Sequence, residues 1–129
     1  MPQSADEWLT QADYDVDTAQ AMFDARRYFY AVFMCHLALE KALKGAFCAK
    51  VRQLPPRTHN LVYLAELVGI PFSKDQSGFL AKLSGASVAT RYPEELRALK
   101  RQFPRRGALR VLAETRELIS CLRNACEKP

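Results

Sequence analysis

The sequence predicts an all-α fold, an antiparallel bundle of four to five helices, and three observations carry that expectation. Apolar residues recur at three- and four-residue spacing through most of the chain. Serines followed three residues later by Glu or Gln stand where two helices should begin. No alternating apolar and polar run offers a competing strand.

The first helix follows from Ser4 and Glu7, a capping box, and from the stripe Trp8, Ala12, Val16, Ala19 and Phe23. Between Asp24 and Tyr28 the pattern loosens without Gly or Pro, which marks a weakly signalled break. A second helix is expected from about Phe29 to Val51. Its residues Val32, Cys35, Leu39, Ala42, Leu43, Ala46 and Phe47 form an apolar face wide enough for the centre of a bundle. Pro55 and Pro56 end it. Thr58 is placed to cap a short third helix, Leu61 to Val68, which Gly69 and Pro71 close. Ser73 and Gln76 open a fourth, with Phe79, Leu80, Leu83 and Val88 as its apolar residues. Tyr92 to Gly107 holds Pro93 and Pro104 and reads as a loop with one helical turn at Glu94 to Arg101. The last helix starts at about Ala108 with Leu109, Leu112, Thr115, Ile119, Leu122 and Cys126 on one face. Arg110 and Glu114 stand at ion-pair spacing on another.

A chain of 129 residues can bury one core without disulfide or metal staples, so a single domain over residues 1–129 is expected. The longest uncharged stretch before Glu40 is too short to span a bilayer, and the acidic start does not have the layout of a signal peptide. A cytoplasmic location with no membrane association is the expectation. Cys35, Cys48, Cys121 and Cys126 lack a C-x-x-C pair and lie in helical apolar patterns, which reads as reduced core thiols. Charge is divided by region. Residues up to Thr90 carry nine basic and nine acidic side chains, whereas ten basic residues face five glutamates from Arg91 onward. The net +5 therefore lies in the C-terminal third, opposite an acidic first helix.

Four pieces carry a family resemblance. They are Trp8 to Phe23, with W-x-x-x-A-x-x-D; FMCHLALEKALKGA from Phe33 to Ala46; THNL at Thr58 to Leu61; and TRYP at Thr90 to Pro93. In this order they resemble the HEPN family, the higher eukaryote and prokaryote nucleotide-binding domain, and Glu40-Lys41-Ala42-Leu43-Lys44 is the most specific part. The resemblance implies a HEPN-like antiparallel bundle, commonly a homodimer. Many such proteins are encoded beside a minimal nucleotidyltransferase and form a two-component system with it, often of toxin–antitoxin type. The expected function is that of such a component, with nucleotide or RNA as a ligand. The alternative is a metal-independent ribonuclease active as a homodimer, because other members use an Arg followed four to six residues later by His.

Here that motif is incomplete, since Arg91 matches the family's arginine but no His follows His59. Arg52 and His59 fit the spacing, yet in a Pro-Pro loop instead of a late helix. Metal-free cleavage of RNA needs an acid or base of near-neutral pKa and a cation for the phosphate, so Arg91 and His59 are the catalytic candidates. His59 has a plainer reading, a ring bonding a neighbouring carbonyl at a helix start. His36, Glu40 and Lys44 repeat every four residues along one strip of the second helix, as a structural network or as the wall of a nucleotide pocket. Glu40, Lys44, Arg91, Tyr92, Arg97, Arg101, Arg105 and Arg106 are the candidates for nucleotide or phosphate binding. No metal site or cofactor is expected, because the two histidines are distant and no paired carboxylates share a face with them.

Overall fold

The computed structural model describes residues 4–85 and 93–127 and places the second helix of the chain at the centre of the bundle. Six helices form among the described residues: α1 (Ala5–Asp24), α2 (Tyr28–Val51), α3 (Leu61–Val68), α4 (Lys74–Ser84), α5 (Pro93–Gln102) and α6 (Arg105–Glu127). Helix α2 packs against α1, α3 and α6, which explains its broad apolar face. Leu39 and Leu43 are fully buried there, and burying one leucine contributes about 1.5–3 kcal/mol.

Helices α1 and α2 form an antiparallel hairpin. At one end Gly45 lets the backbones approach so closely that an added Cβ would lie 3.1 Å from Trp8 Cβ and 3.2 Å from the Ala5 carbonyl. At mid-height Lys41 meets the buried carboxylate of Asp15 at 2.9 Å. The weak break between the two helices is a Schellman turn: the Arg27 amide donates to the Met22 carbonyl and the Arg26 amide to that of Phe23. Arg26 occupies the left-handed position at φ 64°, where glycine is usual. That arginine hides the turn in the sequence.

Helix α6 runs antiparallel to α1 and is tied to it by three arginines. Arg105 lies over the Phe23 ring at 5.3 Å, Arg116 donates to Gln20 at 2.9 Å, and Arg123 pairs with Asp13 at 2.6 Å. Part of the charge separation seen in the sequence is thus used within the fold.

Several expectations need correction. The segment expected as a loop contains α5, and α6 begins at Arg105 instead of Ala108, because Pro93 opens one helix and Pro104 immediately precedes the other. Proline fits such starts, where no intrahelical amide bond is needed. The expected all-α antiparallel bundle stands, with six helices among the described residues where four to five were anticipated. Asn60, not Thr58, caps α3: its side chain accepts from the Tyr63 amide at 3.1 Å, while Thr58 Oγ1 accepts from the Asn60 amide at 3.2 Å. On α6, Leu109 is 46% exposed while Ala108, Val111 and Leu118 take core positions, and the Arg110–Glu114 spacing does not close into an ion pair. Cys35 is a buried free thiol, whereas Cys121 is exposed. Val88, expected on α4, lies outside the described residues.

Candidate functional site

The polar strip of α2 and the turn before α3 build one connected group. His36, Glu40 and Lys44 project from successive turns of α2, and all three are buried. Lys44 Nζ donates to Glu40 Oε2 at 3.0 Å. Its ammonium also lies 5.7 Å from the centre of the Trp8 ring, on α1. The other carboxylate oxygen of Glu40, Oε1, accepts from His59 Nδ1 at 2.8 Å. His36 Nε2 donates to the main-chain carbonyl of His59 at 3.1 Å. The residue expected to bond a neighbouring carbonyl is therefore held by a carboxylate, and its own carbonyl serves as the acceptor.

The partners determine the tautomers. A carboxylate and a carbonyl can only accept, so His59 carries its proton on Nδ1 and neutral His36 carries its proton on Nε2. Burial pushes the pKa of His36 below 6.5, against smaller upward contributions from Glu40 and the His59 carbonyl. Geometry agrees with this direction. His36 Nδ1 is buried without a hydrogen-bond partner, so a second proton would have no acceptor. The His59 side chain, by contrast, is 71% exposed. With Nδ1 engaged, neutral His59 retains an Nε2 lone pair able to accept a proton from a ligand.

Glu40 and Lys44 are paired and buried, so His59 is the accessible member of the network. Arg91 and Tyr92 lie outside the described residues, as does any distance between His59 and Arg91. Arg101, Arg105 and Arg106 lie elsewhere, at the elbow where α5 meets α6, with Arg97 in the first half of α5, and all are exposed. Phe103 is buried at the bend. A cleft of about 1020 Å³ runs between α4 and the first half of α6, floored by Leu83, Phe103 and Val111 and edged by Lys82, Arg106 and Arg110. Among the described residues no group of His, Cys, Asp and Glu is arranged to hold a metal ion.

Sequence patterns did not show the two contacts of His59, with Glu40 and with His36, nor the separate Asp15–Lys41 pair. The His36–His59 contact spans 23 residues and depends on how the Pro55–Pro56 turn folds back. The Asp15–Lys41 pair left a clearer signal, because Asp15 falls between Ala12 and Ala19 on the inner stripe of α1.

The helical architecture agrees with the comparisons to known proteins. The HEPN domain family model matches residues 5–125, and the chain belongs to that family. Among solved structures it is similar to TT1696 from Thermus thermophilus, with a TM-score of 0.78 and 24% identity over 94% of this chain and 97% of that one. It is also similar to ST0689, an archaeal HEPN homologue, with a TM-score of 0.76 and 17% identity over 97% of this chain and 99% of the other. At these identities the likeness establishes the fold. No curated protein matches the chain. No helix among the described residues is long and apolar enough to cross a membrane.

Proposed function

We propose that this HEPN-domain chain is one component of a two-component, toxin–antitoxin-like system, acting in the cytoplasm as a homodimer with a minimal nucleotidyltransferase and recognising nucleotide or RNA phosphate. The elbow supports this reading. Arg97, Lys100, Arg101, Arg106 and Arg110 are exposed along α5 and the first turns of α6, and none forms an ion pair with a described residue. Unpaired exposed cations raise association rates with anionic partners and make binding sensitive to salt. The test is co-purification with a minimal nucleotidyltransferase from the same genome, together with titration of nucleotide and RNA at low and moderate salt. Failure to capture either kind of partner would remove the proposal.

A second reading, a metal-independent ribonuclease active as a homodimer, is favoured by the carboxylate-held and exposed ring of His59. Its Nε2 can withdraw the proton of an RNA 2′-hydroxyl, whose oxygen then attacks the adjacent phosphorus and displaces the 5′-oxygen of the next nucleotide, which leaves with a proton from water, while Arg91 is the candidate cation for the developing charge. RNA cleavage in the presence of a chelator, lost in both His59→Ala and Arg91→Ala while helicity is retained, would favour this reading over the first.

A further inference from the structure

We infer that His36 is a positioning residue that, with Glu40, holds the His59 imidazole in its Nδ1–H tautomer and presents Nε2 to solvent as a fixed proton acceptor. The inference rests on the ribonuclease reading only for what Nε2 acts upon, since the positioning itself is a property of the free protein. It begins with the spacing of the grip. His36 and Glu40 stand one helical turn apart on α2, the most extensively packed helix of the bundle. One holds the backbone of His59 at 3.1 Å, the other its ring at 2.8 Å. A single contact would leave the residue free to pivot, whereas two contacts from a rigid helix define both the position of its main chain and the direction of its ring.

The chemistry of His36 points the same way. The residue is fully buried, and its Nδ1 has no partner, an arrangement that disfavours burial of an imidazole. A leucine of similar size would avoid the orphaned Nδ1 but would leave the His59 carbonyl without this donor. What the imidazole adds is a donor at Nε2, directed at His59. Glu40 is fixed in turn by Lys44, which itself lies over Trp8, so the chain of support runs from α1 through α2 to the turn before α3. His59 needs such support because its ring is mostly exposed and would otherwise rotate freely. An unrestrained neutral imidazole favours the Nε2–H tautomer, the opposite of the one the network imposes.

Nitrogen-15 NMR of the neutral His59 ring tests the inference without RNA. The wild-type protein should show predominantly the Nδ1–H tautomer. Three substitutions separate donor position from packing: the amide of His36→Gln falls near the original Nε2, that of His36→Asn falls a bond shorter, and His36→Leu has no donor. The Gln variant should keep the Nδ1–H signature, while the Asn and Leu variants should shift toward Nε2–H. Should the Leu variant fail to fold, the Gln and Asn pair still decides. A wild-type ring in the Nε2–H form, or identical tautomer populations in the Gln and Asn variants, would overturn the inference. If RNA is cleaved, the Asn variant should lower kcat at least tenfold with KM little changed, and the Gln variant should recover most of it. Absence of cleavage in wild-type protein would sink the ribonuclease reading while leaving the tautomer result to judge the positioning.

Discussion

The corner where α2 meets the turn before α3 and the elbow between α5 and α6 are both rich in charge, but they handle it in opposite ways. At the corner Glu40 and Lys44 are buried, and each ion has a defined partner. At the elbow the cations are exposed, and among the described residues only Arg105 is engaged, over Phe23. Removing a member of the first group strands another in a poorly solvated place. Removal from the second returns one solvated side chain to water. Charge at the corner therefore shapes the fold, and charge at the elbow is available to a partner.

The largest effect should come from breaking the buried pair. Glu40→Ala leaves Lys44 buried without its counter-ion and releases the His59 ring, and a loss of about 3–5 kcal/mol is expected in chemical denaturation. Replacing Glu40 and Lys44 together by apolar residues should cost much less, because nothing charged is left unpaired. Equal losses in the single and double variants would contradict the view of Glu40 as an ion made tolerable by its partners.

Gly45→Ala should come next. A methyl group there meets Trp8 and the Ala5 carbonyl at 3.1 and 3.2 Å, so the gain in helix propensity is outweighed and stability falls by about 1–3 kcal/mol. Thermal melts would reveal it, and a variant more stable than wild type would mean that α1 can move away without loss.

A smaller effect should appear in the pH dependence. The folded-state pKa of His36 is depressed, so the unfolded state binds the proton more readily. Stability from neutral His36 is accordingly complete above pH 6.5 and decreases as pH falls through and below it. His36→Gln should flatten that slope between neutral and mildly acidic pH. A slope identical to wild type would assign the dependence to other groups.

The smallest change in stability is expected at the elbow. Arg101, Arg106 and Arg110 replaced together by Ala should leave the melting temperature nearly unchanged while weakening capture of a nucleotidyltransferase or of RNA, most clearly at low salt. Including Arg105 should lower the melt slightly, because that side chain packs on Phe23. As a control, Asp17→Asn on the outer face of α1 should not alter capture. If the arginine variant binds as well as wild type, the elbow is only a solvated surface.

Much of this molecule could be read locally. The Ser4 and Ser73 caps, the glycine after α3 and the apolar stripes of α1 and α2 marked their helices because each signal lies within a turn or two of its effect. The Glu40–Lys44 pair was legible for the same reason, being an i,i+4 contact. Arg26 and the two prolines beside α5 and α6 misled or stayed silent. A left-handed position filled by arginine resembles ordinary helix, and a proline that starts a helix resembles one that ends it.

The sequence alone determined an all-helical chain, a central second helix and a polar strip on it, since periodicity and capping act over a few residues. Only the tertiary structure decided that His59 meets Glu40, that His36 holds the His59 carbonyl, and that arginines of α6 are shared with α1. Those contacts join residues 19 to 110 positions apart. Such contacts depend on how the turns redirect the chain and on which faces pack, and no local pattern encodes that choice.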